Sequence, residues 1–242
     1  MKFAASILAG GAGRRMGQDL PKQFLEIRGR PILVHTLAAF ARANLFESIH
    51  LAIHPDWVER LADILHRWDL SGTVTVVPGG PTRQASSRAV LDALEARLAP
   101  RDGVLIHDAA RCLVDGELLA RCVEGVQRHG AVTAAMPVTD TIAVADGMVI
   151  ASVPERERLF RIQTPQGFQL GLILAAHRAA RERGVVDATD DAQLVMALGH
   201  PVRIVPGSAG NLKISTPEDL AVAAAIIEWK ETSGGRPDRP AV

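Results

Sequence analysis

Short runs of strand-forming apolar residues alternate with longer helix-patterned segments up to residue 137, and this alternation limits the fold more than any other feature. Runs at 3–8, 48–53, 73–77, 104–107 and 131–137 read as buried strands. Segments at 32–43, 57–68, 83–98 and 117–129 carry apolar residues at helical spacing. Strands that alternate with helices build βαβ units and a mostly parallel sheet. Helices then cover both faces, which gives an α/β, Rossmann-like, three-layer domain around a twisted sheet. Its crossovers are right-handed, and its ligands bind beyond the carboxyl ends of the strands.

The pattern breaks near residue 139. Two extended segments over 141–154 flank Asp146-Gly147, a hairpin-type turn. They are too short for a domain, so residues 139–160 are expected to project as a β-arm. The pattern resumes with helices at 171–183 and 191–198, a strand at 202–205 and a last helix at 217–230. Thr216 is the expected N-cap of that helix, with Pro217 in its first position. One domain over 1–231 is expected, then a disordered tail over 232–242, rich in Gly, Pro and charge.

Composition excludes some partners. Lys+Arg and Asp+Glu are 27 each, so the chain has no net charge. A duplex nucleic-acid binder carries a basic excess, and no nucleic-acid partner is expected. A local basic cleft for a small anion remains compatible with neutrality. The first apolar run is too short to span a bilayer, so no membrane association is expected. Cys112 and Cys122 form no disulfide framework and fit a reducing, cytoplasmic setting.

The loop after the first strand reads LAGGAGRRMGQDLPKQ, from Leu8 to Gln23. Its glycines let backbone N–H groups approach an anion closely. Arg14, Arg15 and Lys22 add positive charge; arginine can fork onto two phosphate oxygens, and lysine acts as a mobile point charge. A Walker A loop would need Ser or Thr after its lysine, and Gln23 stands there. A dinucleotide fingerprint begun at Gly11 would need Gly at its sixth place, and Met16 stands there. That leaves a triphosphate cleft as the main reading and an NAD-dependent oxidoreductase as a remote one. A solvated glycine-rich turn is the plain alternative.

Other segments point to the same crevice. Gly79-Gly80 through Arg83 to Ser86 forms a second polar loop after the third strand. Asp108 and Arg111, in HDAAR, stand at the carboxyl end of the fourth strand, either as site residues or as a structural ion pair. His107 reads as structural. Thr189 or Asp190 reads as a helix cap, and Lys213 as an exposed lysine unless the site claims it.

LAGGAGRRMG…PKQ resembles the signature loop of nucleotidyltransferases that activate sugar or polyol phosphates. PKQF followed by GRPILVHTL narrows the resemblance to the cytidylyltransferase family that takes 2-C-methyl-D-erythritol 4-phosphate or ribitol 5-phosphate. Its motifs recur from Ile7 to about Ile226. The resemblance implies that CTP and a polyol phosphate give a CDP-polyol and pyrophosphate, with Mg²⁺ as cofactor. It implies catalytic roles for Arg15, Lys22 and Lys213. Nucleotide contacts fall to Ala9, Gly10, Gly11, Gly13, Arg14, Gly79, Gly80, Arg83, Ser86 and Asp108. The polyol phosphate falls to Asp108, Arg111, Thr141, Arg156, Thr164 and Thr189, and Asp108 is also the implied metal ligand. Arg156 stands eight places before Thr164 of Thr164-Pro165-Gln166, as the family's phosphate-binding arginine does, with Arg158 and Arg161 as neighbouring alternatives for the role. Family members exchange the arm across a dimer, which implies a homodimer with Thr141 and Arg156 serving the partner's site. The family usually has Pro after HDAAR, where this chain has Cys112. HDAAR, ATDDA and NLKISTPEDLA resemble the methylerythritol branch, and ILAGG resembles the ribitol branch.

Overall fold

The computed structural model describes residues 1–10 and 20–232. The arginines and glycines at 11–19, including Gly11, Gly13, Arg14 and Arg15, and the tail at 233–242 lie outside the described residues.

Seven strands form the main sheet. In chain order they are β1 (Phe3–Leu8), β4 (Ser48–Ile53), β5 (Val74–Pro78), β6 (Gly103–Asp108), β7 (Ala131–Pro137), β10 (Phe160–Gln169) and β11 (Arg203–Pro206). Two short strands, β2 (Glu26–Ile27) and β3 (Arg30–Pro31), make a hairpin before β4, and β8 (Val144–Asp146) pairs with β9 (Val149–Ser152) in the arm. The sheet order is β11-β7-β10-β6-β1-β4-β5. β1 runs parallel to both β4 and β6, β4 to β5, and β7 to β11. β1 and β6 are buried at every position, as central strands covered on both faces require.

The helices are α1 (Ile32–Ala43), α2 (Val58–Arg67), α3 (Arg83–Glu95), α4 (Gly116–His129), α5 (Leu170–Glu182), α6 (Asp191–Met196) and α7 (Pro217–Thr232). α1, α2 and α4 pack on one face, with Leu37, Phe40, Leu61 and Leu118 among the buried side chains. α3, α5 and α6 close the other, around Leu91, Leu94, Phe168 and Ile173. This is the expected three-layer arrangement. Thr216 and Asp219 cap α7 reciprocally: Thr216 N donates to Asp219 Oδ2 (2.9 Å), and Asp219 N donates to Thr216 Oγ1 (3.4 Å). Thr232, assigned to the tail by composition, is the last residue of α7.

The main correction to the sequence reading is β10. No strand was expected between the arm and residue 171, yet this segment lies antiparallel between β6 and β7. Gln163, Thr164 and Gln166 interrupt its apolar pattern, and Pro165 ordinarily marks the end of a strand. The ladder with β7 shifts register between Ile162 and Gln166, so Pro165 falls where it need donate no ladder hydrogen bond. The buried amides find side-chain and loop partners instead. The β2–β3 hairpin was also unforeseen; Arg28 and Gly29 both take positive φ (51° and 73°), as a two-residue primed turn demands.

Close packing at the start of β6 yields a testable result. A Cβ placed on Gly103 would lie 2.1 Å from the Phe3 ring. Gly103→Ala should cost about 1–3 kcal/mol of stability, read as a shifted denaturant midpoint. An unchanged midpoint would contradict this packing.

Among the described residues, no helix is long and apolar enough to cross a membrane.

Candidate active site

The parallel strands β1 and β6 set the site. Leu8 and Asp108 stand in register at their carboxyl ends. From β1 the chain steps through β4 and β5, then returns to the other side of β1 as β6. The two loops therefore diverge at this switch point and leave a crevice between them. A cavity of about 700 Å³ opens there, lined by Ala9, Gly10, Lys22, Gly80, Arg83, Ser86, Asp108 and Lys213 among others, with Asp187 also on its wall. A shallower hollow of about 760 Å³ lies beside α1 and α7, lined by Arg28, Arg30, Trp68 and Cys112. Its Arg28 is paired with Glu228 and Glu231, and its lining holds none of the expected site residues, so chemistry rather than size selects the first cavity.

Glycines shape its nucleotide side. A Cβ on Gly10 would come within 2.9 Å of Ser86 Oγ, and one on Gly79 within 3.1 Å of the same atom. On Gly80 it would lie 2.4 Å from the Ala85 Cβ. The first turn of α3 thus packs directly on both loop backbones. Thr82 caps that helix by accepting from Ala85 N (3.1 Å). Ser86 Oγ accepts from Gly80 N (3.1 Å) and faces Gly80 O at 3.3 Å, so it braces the second loop.

Lys22 is carried on a short 3₁₀ turn, Lys22–Phe24, entered through Pro21. The buried Gln23 side chain donates to Ala9 O (2.7 Å) and ties this turn to the end of β1. Lys22 Nζ donates to Ile214 O (2.8 Å), so the two lysine-bearing loops meet. The second loop is fixed from β10. Gln163 Nε2 donates to Ser208 O (2.9 Å), and Asn211 Nδ2 donates to Thr164 O (2.7 Å). Ile214 N donates to Ala110 O (2.9 Å), which draws Lys213 over the HDAAR turn.

Asp108 is the hub. Its Oδ2 accepts from Lys213 Nζ (2.7 Å), and its Oδ1 from Arg83 Nε (3.3 Å). Burial opposes its charge, but Arg83, Lys213 and Arg111 outweigh burial and hold the carboxyl well below its usual range. Burial likewise opposes charge on Arg83, and Asp191 with Asp108 more than restore it. Arg111 is less well compensated: burial depresses its pKa. It donates to Asn211 O (2.9 Å) and Ile162 O (3.4 Å), holding the Lys213 loop.

His107 is fully buried, and burial pushes its pKa down to about 4. Its Nε2 faces the Arg111 carbonyl (3.1 Å), which can only accept, so Nε2 carries the proton. Nδ1 then accepts from Thr164 Oγ1 (3.0 Å), which itself accepts from Asp108 N (3.1 Å). This chain sets the strand end and places Thr164 behind Asp108, not on the cavity wall. Cys112 is buried, and the turn before it is closed by Arg111 N on Asp108 O (3.0 Å).

The remaining expected residues lie apart. Thr141 and Arg156 are exposed on the arm, with Arg156 Nη1 on Thr139 O (3.3 Å). Thr189 is exposed and accepts from Gln193 Nε2 (2.6 Å), while Asp190 caps α6. Sequence reasoning missed Gln23, Gln163, Asn211, Gln166, Asp191 and His177, all buried. Several stood inside quoted motifs, but polar residues in a loop motif give no sign of being buried.

Among the described residues, no three His, Cys, Asp or Glu side chains cluster as a metal cage. Asp108 offers one hard oxygen donor at the cavity floor, which suits a Mg²⁺ ion drawing its other ligands from phosphates and water.

The family model described as IspD, 2-C-methyl-D-erythritol 4-phosphate cytidylyltransferase, matches residues 3–229. A relative of that name from Geobacillus kaustophilus is 40% identical over 227 residues, covering 94% of this chain and 97% of its own. Another, from Synechococcus sp. strain JA-3-3Ab, is 44% identical over 229 residues, covering 93% and 96%. The crystal structure of the Thermus thermophilus enzyme of that name is 36% identical, with a TM-score of 0.75 over 94% of this chain and 100% of its own. The 4-diphosphocytidyl-2C-methyl-D-erythritol synthase of Anaerococcus prevotii is 31% identical, with a TM-score of 0.79 over 94% and 98%. Because the match runs through both lysine-bearing loops and the antiparallel strand that ties them together, this chain belongs to the 2-C-methyl-D-erythritol 4-phosphate cytidylyltransferase family.

Proposed function

We propose that this enzyme joins CTP and 2-C-methyl-D-erythritol 4-phosphate, forming 4-CDP-2-C-methyl-D-erythritol and releasing pyrophosphate. The observation that carries the reading is the meeting of Lys22 and Lys213 over Asp108 at the carboxyl ends of β1 and β6. A phosphate monoester has its second pKa near ~6, so the attacking oxygen is already largely unprotonated at neutral pH. No general base is needed, which agrees with a His107 held neutral and spent on structure. The task left is to bring two polyanions together and to stabilise charge as pyrophosphate departs.

In this reading Lys22 and Lys213 neutralise the α-phosphate region. Gly10, Gly79 and Gly80 keep the nucleotide loops slim enough for close backbone approach, Ser86 braces the second loop against α3, and Arg83 is held toward the nucleotide by Asp108 and Asp191. Asp108 keeps Arg83 and Lys213 in place before substrate arrives; the triphosphate then competes with it for both cations. Arg15 and Arg14, outside the described residues, are assigned to the β and γ phosphates. Mg²⁺, held by Asp108 and substrate oxygens, would neutralise charge on the triphosphate.

The active form in this proposal is a homodimer. Met148, Val149 and Ile150 on the arm are 101%, 70% and 67% exposed in the single chain, an apolar surface that a second copy would cover. Thr141, Arg156 and their arm would then reach the partner's acceptor site. The buried free thiols Cys112 and Cys122 suit work in the cytoplasm. Pyrophosphate release with CTP and each acceptor tests the chemistry: turnover is expected with 2-C-methyl-D-erythritol 4-phosphate. Turnover with ribitol 5-phosphate alone would overturn the acceptor. Light scattering should return twice the chain mass, and a fully active monomer would overturn the dimer.

A further inference from the structure

His177 on α5 and Asp191 at the start of α6 are only 3% and 1% exposed, and neither lines the cavity. Asp191 nonetheless gathers three side-chain donors. Arg83 Nη1 reaches its Oδ2 at 2.6 Å; Ser87 Oγ and His177 Nε2 reach its Oδ1 at 2.7 and 2.8 Å. Its backbone is held as well: Gln166 Oε1 accepts from Asp191 N (3.0 Å) and Ala192 N (3.3 Å). Gln166 Nε2 in turn donates to Thr133 Oγ1 (3.1 Å), so the carboxylate is anchored to β10 and β7.

Burying a carboxylate so completely is costly, and an apolar side chain of similar volume often serves a fold better. The retained charge therefore asks for a use, and the network leads to one. Arg83 bridges Asp191 and Asp108, and Asp108 bridges Arg83 and Lys213. The line His177–Asp191–Arg83–Asp108–Lys213 thus runs from a closed interior to the cavity floor.

We propose that His177 and Asp191 are positioning residues for cytidylyl transfer, acting through Arg83. This rests on the proposed function. An arginine beside a single carboxylate tends to take both of its oxygens in a fork. Asp191 holds Nη1 and fixes the tilt of the guanidinium, so that Arg83 meets Asp108 through Nε alone (3.3 Å) while its Nη2 stays without a hydrogen-bond partner among the described residues. Asp108 Oδ2 then stays with Lys213. Without Asp191, the Arg83 guanidinium closes on both Asp108 oxygens and displaces Lys213 from its resting place. His177 and Ser87 keep Asp191 turned toward Arg83. The arrangement governs where Lys213 waits, so its loss falls on kcat more than on the KM for CTP.

The test uses the full-length enzyme and pyrophosphate release. Asp191→Asn and His177→Leu are each expected to lower kcat on the order of 10-fold to 100-fold, with KM for CTP changed by less than about threefold. His177→Gln keeps a donor in reach of Asp191 and should return kcat to within about threefold of wild type. The decisive arm repeats both substitutions in an Arg83→Met background. There kcat should change by less than about twofold, although the melting temperature still falls as in the parent. Equal fold-losses in both backgrounds, or a lower melting temperature with unchanged kcat, would overturn the proposal. If the larger changes prevent folding, Ser87→Ala removes one donor alone and must show a smaller loss of kcat that also vanishes in the Arg83→Met background. A wild-type enzyme inactive with both acceptors would instead sink the proposed function; an active wild type with additive losses sinks only this inference.

Discussion

Replacing Lys22 by alanine should lower kcat/KM by about 10²–10³-fold while leaving a folded protein. The turn that carries Lys22 loses the bond to Ile214 O but keeps its other anchors. Gln23 still donates to Ala9 O, and Phe24 still packs in the core. What is lost is one preorganised cation where charge develops on the α-phosphate. Far-ultraviolet circular dichroism should be unchanged, so the loss reads as chemistry. Lys22→Arg should recover little, because a planar fork cannot stand in for a compact ammonium reaching past Ile214 O. Pyrophosphate release measured over a CTP series checks both variants. Near-normal turnover by Lys22→Ala would remove Lys22 from the mechanism.

Asp108→Asn should produce the second large effect, and its signature is pH-dependent. Removing one partner from a buried ionic cluster costs about 3–5 kcal/mol, and here two cations, Arg83 and Lys213, lose a counter-charge together. Asp108 is held well below its ordinary value of 3.8, with Arg83, Lys213 and Arg111 overcoming burial. A carboxyl with a depressed folded-state pKa contributes stability that is fully present above its unfolded pKa. That stability drains away as pH falls below about 4. The gap between wild type and Asp108→Asn should therefore be widest near neutrality and shrink in acid. Asp191, also depressed, remains in both proteins, so only the difference isolates Asp108. Urea unfolding of both proteins across pH 3–7, at steps of about one unit, measures it. A gap that does not narrow in acid would show that Asp108 is not held ionised by its neighbours. Turnover should fall with it, on the order of 100-fold, since Lys213 and Arg83 lose the group that places them.

The regular elements were legible wherever packing and periodicity agree. The strand at 3–8, the helix at 32–43 and the strand at 48–53 lie where their patterns place them, because each buries a continuous face. β10 was not legible, since its burial is paid for by amide hydrogen bonds instead of apolar side chains. Gln163 and Gln166 look like surface residues until Ser208, Asn211, Thr133 and the start of α6 are brought to them. Lys22, Arg83, Asp108 and Lys213 could be gathered at one crevice because each stands just past a strand or at a helix start. Asp191 could not, because Asp-Asp before a helix reads as capping. Asp190 does cap α6, which leaves its neighbour free to point inward. Thr141 and Arg156 show the opposite limit: a spacing rule finds them, but no single chain brings the arm to the cavity.

The central position of β10 also governs the order in which this protein can be made. β6, β1, β4 and β5 all lie within the first 108 residues and can pair as soon as they leave the ribosome. β7 cannot take its native place yet, because the strand that lies between it and β6 is synthesised later. Until residues 160–169 arrive, β6 presents an unpaired edge whose every residue is destined for the interior. The nascent chain therefore holds half a sheet with an adhesive border while the arm is still being synthesised. Thr164 reaches Asp108 N only when that border is sealed, so closing the sheet and finishing the floor of the reaction site are one event.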